Sequence, residues 1–241
     1  QKDWRADNQL TDDERWTGYD TPPTSNANYG WILNMVSKLS DNGVAGFILA
    51  NGALSADGIE GAIRRKMIEN DIVESIVILP RNLFYSTDIS VTLWILNKNK
   101  KGRVISRNGE EIHYRDREGE ILFIDMRQMG EPFEKKYVRF TDEDIQKVAR
   151  TYHNWQREGA SESYANEPEF CYSASFDEVK AKGFSLVPSK YIEFVNRDET
   201  IDYDTRMKEL QGELTDILRK EAESRAAVLE IFKSLGYEIK I

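Results

Sequence analysis

The sequence predicts an α/β fold in which helices cover a mainly parallel sheet. Three apolar runs rich in β-branched residues, at 44–50, 76–79 and 89–96, are typical of buried strands. A helical pattern at 58–70 lies between the first two. A strand, a helix and a second strand in that order indicate parallel pairing with helices on the sheet faces. In such sheets ligands bind at the carboxyl ends of the strands, which here are Asn51-Gly52 and the loop at 80–88.

The amino-terminal part of the chain predicts an ordered loop followed by a helix. Residues 1–24 show no periodicity but carry Trp4, Trp16 and Tyr19, and aromatic residues argue against disorder. Ser25 is predicted to cap a helix over 25–39, which Asp41-Asn42-Gly43 ends.

The middle of the chain predicts a hairpin, a strand and a helix. An Asn-Gly pair at 108–109 separates two short strand-like runs, so a β-hairpin is expected within 98–117. Residues 121–125 predict another buried strand. Thr141, three residues before Asp144, is expected to start a helix that ends near 156. The side chains expected to face inward from that helix are Ile145, Val148, Tyr152 and Trp155.

The carboxyl-terminal part predicts a linker and a helical region. The expected boundaries are a domain over 1–156, a polar linker over 157–170, and a helical region over 171–241 with a short helix at 176–181. Residues 202–235 predict one long amphipathic helix, whose first seam residues are Met207, Leu210, Leu214 and Ile217. This apolar seam needs a cover, which is either the rest of the chain or the helices of a partner.

Composition sets limits on the class of protein. With 241 residues, 40% of them hydrophobic, the chain can bury one core with a helical appendage. No apolar run approaches the ~20 residues that cross a bilayer, and no signal-peptide pattern is present, so a cytoplasmic protein is expected. The single Cys171 excludes an internal disulfide, and His113 and His153 are too isolated to predict a metal site.

Two features are candidates for binding. Phe84 and Tyr85 lie in a loop with fixed ends, where they either form a binding surface or pack on a neighbouring helix. The second feature is a basic run in a chain of net charge −9. Its basic residues either contact phosphates or form a solvated face. They are Lys98, Lys100, Lys101, Arg103, Arg107, Arg115 and Arg117, against the acids Glu110, Glu111 and Asp116. No phosphate loop, nucleophile elbow or metal cluster accompanies them.

Four blocks of sequence resemble a known family. They are SNANYGWIL at 25–33, GVAGFILANGALS at 43–55, LPRNLFYST at 79–87 and ILFIDMR at 121–127. In this order they resemble the modification subunit of type I restriction-modification systems, an S-adenosylmethionine-dependent DNA adenine-N6 methyltransferase. The similarity continues through 141–155 and 183–191. It implies the carboxyl-terminal half of a Rossmann-like methyltransferase sheet, with one sheet edge exposed, followed by a helical region for subunit assembly.

The resemblance also implies roles for particular residues. Phe84, with Tyr85 second, would stack on the adenine after it is flipped from double-stranded DNA, and Trp4, Asn51 and Gly52 would border that pocket. Lys98, Lys100, Lys101, Arg103 and Arg107 would contact the DNA backbone. The long helix would dock on the specificity subunit, within a complex that also contains the restriction subunit. The cofactor motif and the catalytic Asn-Pro-Pro-Phe tetrad are expected upstream of residue 1, so this chain alone is expected to be inactive. The alternative is a non-catalytic assembly module that binds the specificity subunit through the long helix at 202–235.

Overall fold

The computed structural model describes residues 3–5, 10–160, 163–195 and 203–237, which fall into two compact units. The first unit, Gln1–Phe194, contains all the described strands and four α-helices. Its strands are β1 (Val44–Ala50), β2 (Val73–Ile78), β3 (Val91–Asn97), β4 (Arg103–Arg107), β5 (Glu110–Tyr114), β6 (Glu120–Asp125), β7 (Glu131–Phe133), β8 (Tyr137–Arg139) and β9 (Cys171–Ser175). Its helices are α1 (Asn28–Lys38), α2 (Gly58–Glu69), α3 (Asp142–Gln156) and α4 (Phe176–Ala181).

The central sheet is mixed, with the strand order β1-β3-β2-β6-β9. Strands β2 and β6 pair in parallel, whereas β3 is antiparallel to both β1 and β2, and β9 is antiparallel to β6. The α/β prediction is therefore correct, but the prediction of a mainly parallel sheet is wrong. The connection between β2 and β3 contains no helix, so the chain turns back beside β2 and separates it from β1.

The sheet is covered on both faces in its centre. Ile76 and Phe123 belong to a core cluster with α1, α2 and α4, while Val77 and Ile124 belong to a second cluster with Trp155 of α3. Since neighbouring residues of a strand point to opposite faces, these clusters lie on opposite sides of the sheet. All six residues of β2 are buried for this reason.

Strand β1 is an exposed edge in the described part of the chain. It pairs with β3 on one side, and its burial alternates along its length. Val44 and Ile48 are 54% and 47% exposed, although both are β-branched and apolar. The predicted exposed edge is thus present, and it presents unpaired backbone groups beside apolar side chains.

The helix predictions are correct in position but differ in detail. Thr141 and Asp144 form the capping box that starts α3, as predicted. Ser25 does not cap α1: the N-cap is Ala27, and Asn26 Oδ1 accepts from the Asn28 N–H at 3.0 Å. Ile145 is 54% exposed, so its predicted inward orientation is wrong. It lies in the first turn of α3, whose buried side begins further along the helix.

Two hairpins extend from the sheet. Strands β4 and β5 form the predicted hairpin, and the positive φ angles of Asn108 and Gly109, 55° and 82°, are those of a type I′ turn. Strands β7 and β8 form a second hairpin that the sequence analysis did not predict. Strand β9 was also unpredicted, and its pairing with β6 places residues 171–175 in the first unit, beyond the boundary expected at 170.

The second unit, Val195–Ile241, contains helix α5 (Tyr203–Ser234). Its 32 residues confirm the predicted long helix, except that residue 202, where it was expected to begin, lies outside the described ranges. Among the described residues, no helix combines the length and apolar character needed to cross a membrane.

Candidate functional site

Several connecting segments meet at one edge of the sheet. Strands β1, β2 and β6 all run toward this edge and end at Ala50, Ile78 and Asp125. The register aligns Ala50 with Val91, at the start of β3, and aligns Ile78 with Asp125. The turn after β1, the loop between β2 and β3, and the segment after β6 are therefore neighbours. The carboxyl edge of a sheet is where α/β proteins bind ligands.

The loop over residues 80–90, called the aromatic loop below, has firmly held ends. The Leu79 N–H donates to Val91 O at 2.9 Å, and Ser90 Oγ donates to Leu79 O at 2.6 Å. Within the loop the Thr87 N–H donates to Phe84 O at 3.4 Å, which closes a small turn around Phe84 and Tyr85. A rigid loop of this kind can hold an aromatic ring in a fixed position.

The two aromatic residues of this loop have different environments. Phe84 is half-buried and packs against the second core cluster. Tyr85 is 70% exposed, and its ring lies 4.7 Å from that of Tyr137, edge to face. Phe84 is therefore anchored in the core, as the packing alternative predicts, and Tyr85 is presented to solvent.

The segment after β6 completes this surface. Asp125 accepts from Arg127, whose Nη2 lies 2.6 Å from Asp125 Oδ2, and this hydrogen bond raises the pKa of Arg127. A cleft of about 500 Å³ lies between this segment, the start of the aromatic loop and the β7–β8 hairpin. Its lining includes Arg81, Asn82, Arg127 and Val138.

The turn after β1, Asn51–Leu54, is held by donors from two helices. The Tyr29 hydroxyl donates to Ala53 O at 2.7 Å, and burial raises the pKa of Tyr29 to about 12. Arg64 donates to Ala56 O at 2.7 Å. Asn51 Oδ1 is buried, and no described residue donates to it. A buried acceptor that stays without a donor costs about 1–3 kcal/mol.

Trp4, the other residue expected to border the pocket, packs in the first core cluster. Its Nε1 donates to Pro23 O at 2.8 Å, and its ring meets that of Trp16 edge to face. A Cβ at Gly30 would come within 2.5 Å of the Trp4 ring, so α1 has a glycine at this contact. Phe84 packs on the opposite face of the sheet, and the structure does not bring these two side chains together.

Most of the basic side chains over residues 98–117 bond to groups within the fold. Lys100 is a correction to the predicted DNA contacts, because its side chain is fully buried. Its Nζ lies 2.5 Å from Asp71 Oδ1 and donates to Val73 O and Glu120 O. Of the other predicted contacts, Lys98 donates to Leu39 O and Arg103 to Asn99 O, while Lys101 and Arg107 are exposed.

The two arginines that follow the β4–β5 hairpin have structural roles. Arg117 is fully buried and lies 3.2 Å from Glu74, which is also fully buried. Glu74 accepts in addition from Asn97, Tyr152 and Gln156, which joins the sheet to α3. Arg115 forms a two-bond pair with Glu120 at 2.9 and 2.7 Å. These pairs fix the base of the hairpin.

Helix α5 exposes its predicted seam within the second unit. Met207, Leu210, Leu214 and Ile217 are all exposed, as are Val228, Ile231 and Leu235 in its last turns. An apolar stripe of this length on an isolated helix indicates a surface that binds another element.

Potential metal ligands are not clustered in the described part of the chain. Within those ranges, no group of three His, Cys, Asp or Glu side chains is arranged to hold a metal ion. The turn after β1 has one glycine, Gly52, and a Cβ there would meet no protein atom within 4 Å, so the space beside this glycine is open. The groups that this turn could offer to a cofactor are the open backbone at Gly52 and the acceptor Asn51 Oδ1.

Comparison with known proteins identifies the family. Residues 1–200 match the model for N-6 DNA methylases, and the chain belongs to this family. It is 38% identical over 239 residues to the methylase subunit of the type I restriction enzyme HindI from Haemophilus influenzae, covering 98% of this chain and 49% of that protein. It is 35% identical over 216 residues to the MjaIX methylase subunit from Methanocaldococcus jannaschii, covering 90% of this chain and 36% of that protein. The chain thus spans half the length, or less, of these relatives.

Solved structures agree with this assignment. The type I restriction-modification methyltransferase subunit from Streptococcus thermophilus superimposes with a TM-score of 0.65 at 25% identity, over 80% of this chain and 36% of that one. The EcoKI M protein shares the fold, with a TM-score of 0.53 at 20% identity over 82% of this chain and 43% of that one. The resemblance seen in the sequence and the predicted fold class are confirmed.

Proposed function

We propose that this chain supplies the carboxyl-terminal part of an adenine-N6 DNA methyltransferase subunit of a type I restriction-modification system. The observation that carries the proposal is the aromatic loop, which stands at the carboxyl edge of the sheet with Phe84 anchored in the core beneath it. Membership of the N-6 DNA methylase family supports the reaction class. A stand-alone assembly module is disfavoured, because the family match covers residues 1–200 rather than the helix α5 alone.

Phe84 is proposed as the wall against which the flipped adenine stacks. A duplex base must leave its stack before its amino group can be methylated, and opening costs a few kcal/mol. Stacking on an aromatic ring recovers about 1–3 kcal/mol per base. Phe84 suits this role because its core contacts fix the ring while part of it stays accessible. Asn51 and Gly52 lie at the same edge and are proposed to border the pocket.

The methyl donor proposed for this reaction is S-adenosylmethionine, which supplies an electrophilic methyl group when bound. The cofactor site is proposed to lie mainly in the part of the methylase domain that the longer relatives contain in addition. The orphaned acceptor Asn51 Oδ1 is proposed to meet its donor when the two halves are together.

Helix α5 is proposed to dock on the specificity subunit through its apolar seam, in a complex that also holds the restriction subunit. The exposed seam residues support this role, because a partner helix would remove them from water. In a binding assay with the specificity subunit, Leu210→Asp plus Leu214→Asp is expected to abolish the complex. The matched control Lys208→Asp plus Thr215→Asp lies off the seam and is expected to retain it. Equal binding by both variants would remove the proposal.

The test of the function uses the assembled methylase, defined as this chain together with the additional half of the methylase domain and the specificity subunit. Methyl transfer to adenine in duplex DNA is measured with labelled S-adenosylmethionine. Phe84→Ala is expected to lower kcat/KM by about 5- to 150-fold, the equivalent of the lost stacking energy. Ile89→Ala, an exposed residue of the same loop, is expected to stay within twofold. Transfer at the wild-type rate by Phe84→Ala would exclude Phe84 as the wall.

A further inference from the structure

The β7–β8 hairpin and the aromatic loop form one continuous surface. The Val138 N–H donates to Asn82 O at 3.1 Å, which ties β8 to the start of the loop. The exposed ring of Tyr85 rests edge to face on Tyr137 of the same strand. The hairpin is therefore held beside Phe84 by one backbone hydrogen bond and one aromatic contact, and both are local to this surface.

This surface is basic, although the chain as a whole has a net charge of −9. The aromatic loop and residues 126–139 together carry five basic side chains and three acidic ones. The basic ones are Arg81, Arg127, Lys135, Lys136 and Arg139, and the acidic ones are Asp88, Glu131 and Glu134. An acidic protein repels a polyanion over most of its surface, so a local excess of positive charge defines where one can approach.

The free charge of this surface is concentrated in two lysines. Lys135 and Lys136 are exposed in the hairpin turn, and no described carboxylate lies within ion-pair distance of either. Arg139 and Arg127, by contrast, each lie 2.6 Å from a carboxylate oxygen. The Lys136 Nζ lies 5.4 Å from the centre of the Tyr137 ring, a cation–π contact that leaves its N–H donors available.

We propose that the β7–β8 turn binds the phosphate backbone of duplex DNA next to the target base, through Lys135 and Lys136. This inference rests on the proposed function, because Phe84 fixes where the base is received. Phosphate contacts set the position of a protein on the duplex, and a contact beside the pocket would hold the flanking strand while the base is extruded. The exposed Tyr85–Tyr137 pair lies between the pocket wall and the lysines and forms the apolar part of the same surface.

The test measures affinity rather than methylation. Binding of a duplex oligonucleotide to the assembled methylase is followed by fluorescence anisotropy between 50 and 200 mM salt, without S-adenosylmethionine. Lys135→Gln plus Lys136→Gln is expected to weaken binding about tenfold and to lower the slope of log K against log[salt] by about 2. Lys38→Gln plus Lys180→Gln, two exposed lysines at the opposite edge of the sheet, removes the same charge and is expected to change affinity less than twofold.

Equal losses in the two variants, or no loss from the Lys135 and Lys136 variant, would overturn the inference. Either result is compatible with methylation by the wild-type assembly, so the proposed function would survive it. If the wild-type assembly transfers no methyl group yet binds DNA with the expected difference between variants, the inference stands and the proposed activity fails.

Discussion

The two hairpins of the first unit differ in how their basic residues are used. The segment around β4–β5 has seven basic residues over 98–117, but Lys100, Arg115 and Arg117 are paired with acids from the sheet and its connections. The β7–β8 hairpin has only three, over 131–139, and two of them are free in its turn. The segment with more basic residues thus uses several of them to stabilise the fold. The hairpin with fewer basic residues keeps two exposed lysines, which are the proposed phosphate contacts.

The difference shows that a run of basic residues in the sequence does not by itself predict a basic surface. The acidic residues that neutralise such a run can come from distant parts of the chain. Arg117 meets Glu74, which is 43 positions away, and Lys100 meets Asp71 across the strand pairing. At β7–β8 Glu131 is near in sequence, and it pairs with Arg139 rather than with either of the two lysines.

The largest expected effect separates structural from surface charge in the β4–β5 segment. Arg117→Ala leaves the buried carboxylate of Glu74 without its cation and is expected to lower the free energy of unfolding by about 3–5 kcal/mol. Arg107→Ala, on the exposed strand end, is expected to stay within about 0.5 kcal/mol. Urea unfolding of the chain measures both. Similar stabilities would contradict the structural role of Arg117.

A smaller effect is expected from replacing a glycine with a positive φ angle at each hairpin, Gly130 just before β7 and Gly109 in the β4–β5 turn. Gly130 has φ of 92°, and a Cβ there would lie 2.6 Å from Val138 Cγ1 and 2.9 Å from Arg139 O, so β8 must shift. Gly130→Ala is expected to destabilise the hairpin by about 2 kcal/mol and to speed hydrogen exchange of the Val138 amide roughly 30-fold. Gly109→Ala has open space around it and is expected to cost about 1 kcal/mol. Unchanged exchange at Val138 would show that β8 is not tied to the aromatic loop.

Local signals in the sequence predicted the elements that depend on neighbouring residues. The Asn108-Gly109 turn and the Thr141–Asp144 capping box each need contacts within three positions, and both are present. The β7–β8 hairpin lacks such a signal, since its strands have three residues each and one contains Pro132. The sequence feature that could have indicated an exposed basic turn is Lys135-Lys136-Tyr137, five residues after Gly130.

The elements that depend on distant partners were not predictable in the same way. Placing β3 between β1 and β2 requires knowledge of strand order, which the apolar pattern of β1 does not contain. The aromatic loop could be located because both flanking strands are strongly apolar. The burial of Phe84 and the exposure of Tyr85 depend on the second core cluster and on β8, which only the fold brings together.

The smallest expected effect concerns the pair at the base of the β4–β5 hairpin. The hydrogen bonds from Arg115 hold the pKa of Glu120 below its usual value of 4.5, and the carboxylate also accepts from Ser173. The unfolded chain therefore takes up a proton at higher pH than the folded chain. The stability that the pair contributes is fully present above pH 4.5 and is lost as the pH falls through the lower, folded pKa.

Glu120→Gln is thus expected to cost about 1 kcal/mol at pH 7, because the pair is one-third exposed and screened by solvent. This cost should shrink as the pH is lowered below 4.5, when measured by urea unfolding. In an Arg115→Gln background the cost at pH 7 should largely disappear, since the cation that lowers the pKa is gone. A cost that stays constant with pH would mean that Arg115 is not held by Glu120, and Arg115 would then join Arg107 as a cation without an ion pair among the described residues. The β4–β5 segment would then have one fewer basic residue in an ion pair, and the two hairpins would differ less in how their basic residues are used.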